Sequence, residues 1–147
     1  MNVKVLIISM DADECVKKLR EKLVDRGYSV YAEESVAMNM SRLRETIYMN
    51  RNRVDVIFTV GGTGLKDDDT VPEATINIID RRVKGLEFML VMECVNFSNR
   101  LASFRGVAGT VGNTLVMNLP ADVSFILSER FERVLDAVSA AVSDIKI

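Results

Sequence analysis

The 147-residue chain contains no histidine. That absence excludes Ser-His-Asp and Cys-His nucleophilic centres and every histidine-ligated metal site. Acid–base or metal chemistry therefore falls to carboxylates, lysine, tyrosine or backbone groups. Cysteine is scarce too: Cys15 and Cys94 lie far apart, fit no C-x-x-C spacing, and are expected as reduced thiols. Long apolar runs are missing, so no membrane span is expected. The first run, Val3 to Ile8, is only a strand in length and leads into an acidic helix rather than a signal-peptide cleavage site. Neither sign of charge dominates. A net charge of −2 argues against a general basic surface for nucleic acid or an anionic membrane, so any anion must be held locally. Together these absences describe an expected cytoplasmic protein.

What is present suits one folded domain over residues 1–147, since hydrophobic residues make up 48% of the chain. Val3–Ser9 reads as a strand covered on both faces. Asp11 or Asp13 is placed to cap a helix from Ala12 to Arg26, with Val16, Leu19, Leu23 and Val24 inward and Gly27 as its stop. Tyr28–Ala32 reads as a second strand. A helix opened by Asn39 or Ser41 carries Leu43 and Ile47 and ends near Arg51, and Val54–Thr59 is a third strand. Thr70 to Glu73 has the T-x-x-E form of a capping box, with Pro72 in the first turn. This β-α succession with short connections predicts a parallel sheet with helices on both faces.

The second half changes character. Glu87–Leu101 reads as a helix with Met89, Met92, Val95 and Phe97 among its apolar positions, and Val107–Leu119 as a hairpin around Gly112-Asn113. After Pro120, Asp122 is expected to cap one last helix whose stripe is Val123, Ile126, Leu127, Phe131, Val134, Leu135 and Val138.

The most informative stretch is Thr59-Val60-Gly61-Gly62-Thr63-Gly64, followed by Asp67-Asp68-Asp69 and Pro72-Glu73-Ala74. In an open α/β sheet, ligands bind outside the carboxyl ends of the strands. Glycines there admit positive φ and close approach, so their N–H groups can converge on phosphate, aided by the start of the helix near Pro72. The aspartates would repel a bare phosphate, but they suit Mg²⁺ shared between carboxylate and phosphate oxygens. The same residues also fit a plain turn followed by Asp helix caps. The spacing is neither a Walker A loop nor G-x-G-x-x-G, which disfavours the usual NTPase and dehydrogenase readings.

The stretch from Thr59 to Gly64, with Asp69, Pro72, Glu73 and Ala74, resembles the T-x-GGTG-x4-D-x2-P-[DE]-A signature of the MoaB/MogA proteins of molybdenum cofactor biosynthesis. Arg105-Gly106-Val107-Ala108-Gly109 and Asn113–Pro120 are similar to the family's S-R-A-x-A-G…G-T-L-x-x-x-L-P-G segment, and Gly85-Leu86-Glu87 to its G-F-x-E. The resemblance implies a three-layer α/β/α molybdopterin-binding-like fold, a mostly parallel sheet with a late β-hairpin, assembled as a homotrimer or homohexamer. It implies adenylylation of molybdopterin by Mg-ATP, with pyrophosphate released. In that scheme Gly61, Gly62, Thr63 and Gly64 cradle phosphate, Asp69 and its neighbour Asp68 hold Mg²⁺ and serve catalysis, and Glu87, Ser103 and Arg105 face the ligand.

The chain departs from the family pattern at two loops. The S-D-x-R loop after the first strand is replaced by Ser9-Met10-Asp11-Ala12-Asp13. Met38 stands near the aspartate that normally follows the second strand. Asp68-Asp69 and Val36-x-x-Asn39-x-x-Arg42-Leu43 also look like the amino-terminal domain of CinA proteins, which act on nucleotide pyrophosphates. The alternatives are therefore a CinA-like domain or a molybdopterin-binding member without catalysis.

Overall fold

The computed structural model describes residues 2–147. Six strands form one sheet: β1 (Lys4–Ser9), β2 (Ser29–Ser35), β3 (Val56–Val60), β4 (Arg81–Arg82), β5 (Ala108–Val111) and β6 (Thr114–Leu119). Their order across the sheet is β2-β1-β3-β6-β5-β4. The β2-β1, β1-β3 and β3-β6 pairs are parallel, while β6-β5 and β5-β4 are antiparallel. β5 and β6 are the expected hairpin, and the sheet is the expected mostly parallel one. The helices are α1 (Asp13–Asp25), α2 (Met40–Asn50), α3 (Val71–Ile76), α4 (Lys84–Phe97), α5 (Val123–Ile126) and α6 (Glu129–Lys146), with a 3₁₀ stretch at Asn99–Ser103.

Strand alternation divides the interior into two cores. Val5 and Ile7 of β1, with Phe58 and Val60 of β3, face α1, α4, α5 and α6. Leu6 and Ile8 of β1, with Ile57 of β3, face α2 and α3. Every residue of β3 and β6 is buried, as a central strand covered on both faces requires. Cys15 and Cys94 are free thiols in the first core. Burial pushes them up to about 11 and about 12 respectively, which keeps both as unreactive thiols at neutral pH. Among the described residues, no helix is long and apolar enough to cross a membrane.

Several local expectations are corrected. Neither Asp11 nor Asp13 caps α1. The cap position is Ala12, because Asp11 takes a left-handed conformation (φ 54°) and Asp13 is already helical. Val24 is exposed, lying just off the inward stripe. Thr70 makes no side-chain cap, and the Glu73 carboxylate, the other half of the expected capping box, pairs with Arg105 instead. On α4 the buried positions are Leu86, Leu90 and Cys94, a clean i, i+4, i+8 row, whereas Met92 and Val95 face outward. The last helix is two: Asp122 caps only the single turn of α5, accepting from the Phe125 N–H, and a second start at Ser128 leaves Leu127 exposed.

Candidate functional site

The topology fixes where a ligand can sit. From β1 the chain moves outward through α1 to β2, then returns over α2 to β3, from which it continues in the opposite direction. Strand order therefore reverses between β1 and β3, and the glycine loop leaves β3 at its carboxyl end beside that reversal. A cleft of about 250 Å³ opens there, lined by Gly61–Gly64 and Asp69 of the glycine loop, by Arg100, Ser103 and Phe104 of the 3₁₀ stretch and its end, and by Ala121 and Asp122 beyond β6.

The loop's path is forced by close approach. Gly61 (φ 96°) and Gly62 (φ 70°) are consecutive left-handed residues, and a Cβ on Gly62 would lie 2.4 Å from Cγ2 of Val71. Incoming and outgoing bonds anchor the turn: Gly61 N–H donates to Leu119 O (3.1 Å), and Val71 N–H to Gly62 O (3.2 Å). Among the described residues, no protein group accepts from the N–H groups of Gly62, Thr63 and Gly64. Three backbone donors beside a cleft, with no internal acceptor, are what an anionic oxygen can use. α3 has only six residues and its first N–H is spent on Gly62, so the loop carries more of this donor set than the sequence suggests.

Arg105 lies behind this loop. Its backbone N–H donates to Thr63 O (2.9 Å), Nε to Gly64 O (2.9 Å) and Nη2 to Asp69 O (2.6 Å), while Nη1 meets Glu73 Oε2 (2.6 Å). The guanidinium is committed to loop carbonyls and to Glu73, whose carboxyl it holds below its usual range by hydrogen bonding. Arg105 therefore shapes the loop instead of lining the cleft. A second brace is Asn118, fully buried on β6. It donates to Thr59 Oγ1 (2.8 Å) and Thr75 Oγ1 (3.1 Å) and accepts from Val107 N–H (3.1 Å). Asn118→Leu should cost about 3 kcal/mol in a denaturant titration, because it strands buried polar groups on three segments. An unchanged midpoint would mean those groups find other partners.

The carboxylates separate. Asp69 lines the cleft, with Oδ2 accepting from Lys66 N–H (3.0 Å). Asp68 is exposed and is not part of the cleft wall. Asp122 does line it, but its carboxylate is paired with Arg100 at 2.8 and 3.1 Å. Burial alone would raise Asp122; the Arg100 and Phe125 hydrogen bonds outweigh it and hold the carboxyl below its usual range. Among the described residues, no cluster of three metal-ligating side chains exists. This donor set fits Mg²⁺ arriving on phosphate oxygens and taking one carboxylate, Asp69, better than an ion caged by protein.

Ser103 reaches the cleft, its hydroxyl donating to Arg100 O (3.2 Å). Glu87 does not. It bonds Arg82 through both oxygens (2.8 and 3.0 Å) and accepts from Ala108 N–H (3.0 Å), tying α4 to β4 and β5. Met38, near the expected second aspartate, sits in a left-handed turn with Ala37 (φ 61° and 46°) and packs partly on the second core. Sequence reasoning missed Arg100, Phe104 and Asp122 as cleft residues. One signal for Phe104 was available: S-R-A reads Phe104-Arg105-Gly106 here. The two changes belong together, since a Cβ on Gly106 would lie 2.2 Å from the Phe104 ring.

Residues 7–139 match the family model described as a probable molybdopterin binding domain. The chain is 31% identical to the molybdopterin biosynthesis enzyme MoaB of Thermus thermophilus, covering 98% of this chain and 95% of that one, with a TM-score of 0.81. It is 29% identical over 105 residues to molybdenum cofactor biosynthesis protein B of Escherichia coli, covering 69% of this chain and 62% of the relative. Over 73 residues it is 36% identical to the molybdenum cofactor synthesis protein cinnamon of Drosophila melanogaster, covering 50% of this chain but only 12% of that much longer protein.

Proposed function

The chain belongs to the family of probable molybdopterin-binding domains, and from that premise we propose that it serves molybdenum cofactor biosynthesis as a molybdopterin adenylyltransferase. The observation that carries this reading is that Gly62, Thr63 and Gly64, whose amides have no acceptor among the described residues, line a cleft with Asp69. In the reaction, an oxygen of the terminal phosphate of molybdopterin attacks the α-phosphorus of ATP. The α–β anhydride bond breaks, and pyrophosphate leaves with its electron pair. The loop amides hold phosphate oxygens in place, Arg105 and Asn118 keep the loop rigid, and the cleft walls limit water. Mg²⁺, held by Asp69 and the phosphates, would supply charge neutralisation when bound. No step calls for histidine.

A second reading has its own support. Met38 supplies no carboxylate after β2, and Asp122 is tied up by Arg100, leaving Asp69 as the one uncommitted carboxylate in the cleft. A member that binds molybdopterin without transferring adenylate fits that arrangement. Product analysis after mixing the protein with molybdopterin, ATP and Mg²⁺ separates the readings. Adenylylated molybdopterin with pyrophosphate is the expected result. Tight binding without product would leave the binding reading, and no binding would turn attention to nucleotide pyrophosphates and the CinA-like alternative.

Self-association as a homotrimer or homohexamer is part of the proposal. α4 exposes apolar residues on its outer side: Phe88, Met92 and Val95 form an outward row at i, i+4, i+7, with Phe88 67% exposed. A second copy of the chain is the occupant that the oligomeric reading assigns to this row. Phe88→Glu should shift the sedimenting species toward monomer; an unchanged distribution would move the contact elsewhere.

A further inference from the structure

We propose that Arg100 is the phosphate-gripping cation of this cleft, and that its pairing with Asp122 is a parked state which an incoming phosphate or phosphoanhydride displaces. The inference rests on the phosphate-loop reading above and adds to it a cleft residue from the 3₁₀ stretch.

The charge pattern carries the argument. Arg100 is the only cationic side chain among the cleft's described lining residues, which also include the carboxylates of Asp69 and Asp122. Three loop amides alone would face a polyanion across two negative charges. Arg105, the other guanidinium nearby, is spent on Gly64 O, Asp69 O and Glu73. That leaves Arg100 to offset the ligand's charge.

Its surroundings permit the movement. Arg100 follows Asn99 in the 3₁₀ stretch and lines the cleft with Gly61–Gly64; its side chain is 58% exposed, whereas Asp122 is 10% exposed and fixed at the start of α5. Nε and Nη2 hold Asp122 side-on, Nη1 takes Ser98 Oγ at 3.0 Å, and the guanidinium lies 5.9 Å from the Phe97 ring. A guanidinium paired side-on with a carboxylate offers the same planar fork to a phosphate, so carboxylate and phosphate compete for one set of donors. The more exposed partner is the arginine, and its departure would leave the Asp122 cap on Phe125 N–H in place.

The two partners make opposite predictions. Titration with inorganic pyrophosphate, with and without Mg²⁺, reads binding without needing turnover. Arg100→Gln should weaken pyrophosphate at least tenfold and flatten the salt dependence, and Arg100→Lys should recover part of the loss. Asp122→Asn keeps an effective helix cap but releases the arginine, so it should tighten pyrophosphate several-fold. If Arg100 is only a structural tie to Asp122, both variants will lower the melting temperature alike and leave affinity unchanged, which would overturn the proposal. Weaker binding by Asp122→Asn would overturn it as well, and that variant decides the matter should Arg100→Gln fold poorly. Absence of pyrophosphate binding by the unmodified protein would instead remove the phosphate-loop reading and this inference with it.

Discussion

Gly62→Ala should destabilise the protein by about 2–5 kcal/mol and abolish pyrophosphate binding. Two independent costs meet at this position. A left-handed conformation at φ 70° costs a Cβ-bearing residue about 1–2 kcal/mol. The new methyl would then lie 2.4 Å from Cγ2 and 3.3 Å from Cβ of Val71, a fully buried, β-branched residue with little freedom to rotate; overpacking of this kind costs about 1–3 kcal/mol. The strain has one direction of release: the loop swings away from α3, breaking the Val71-to-Gly62 hydrogen bond and turning the neighbouring amides out of the cleft. Stability and ligand affinity should therefore fall together. Gly85→Ala is the matched control. It lies inside α4 with nothing within 4 Å of its added methyl, and should gain up to about 1 kcal/mol with pyrophosphate binding unchanged. A Gly62→Ala protein that melts with the parent would show that the left-handed path is not a requirement.

That the glycine loop was readable from sequence and the Arg100–Asp122 part of the cleft was not has a physical origin. The loop is local: strand residues from Val54 to Thr59, then glycines, then Pro72 at a helix start, lie within one continuous stretch, and each constrains the next. The parallel sheet was legible for the same reason, since the β-α alternation up to Val60 leaves few other ways to bury apolar strands. Arg100 and Asp122 are 22 positions apart and meet only because β5 and β6 carry the chain back across the sheet. No periodicity signals such a pair. Arg105 illustrates the complementary failure. Its place in the family pattern suggests a ligand contact, but in three dimensions its donors bond carbonyls of the distant glycine loop, an arrangement that spacing cannot distinguish from reaching outward. Helix caps misled for a different reason. Thr70 and Glu73 have the spacing of a capping box, yet the bond to Arg105 is charge-assisted and outcompetes a neutral backbone donor.

Asp69→Asn should lower adenylyl transfer at least about 100-fold while leaving the fold nearly untouched. The side-chain acceptor that receives Lys66 N–H survives as an amide oxygen, so the turn between Gly64 and Thr70 retains its geometry. What disappears is the negative charge, and its loss acts in opposite directions depending on the metal. Without Mg²⁺, the carboxylate repels an anion seated on Gly62–Gly64, so the variant should bind pyrophosphate more tightly than the parent. With Mg²⁺, the same carboxylate supplies the cleft's one carboxylate ligand not paired with a cation, so the variant should bind the metal-loaded anion more weakly and require more Mg²⁺ to saturate. The crossing of these two effects is the signature of a metal-bridging role. Weaker binding under both conditions would make Asp69 a brace for the loop, since its Oδ2 lies only 2.9 Å from where a Cβ on Gly64 would stand. Unchanged turnover would remove Asp69 from the reaction altogether. Transfer lost together with the crossed binding pattern would locate the requirement at the phosphates, where charge neutralisation and alignment suffice for a chain that has no histidine to offer.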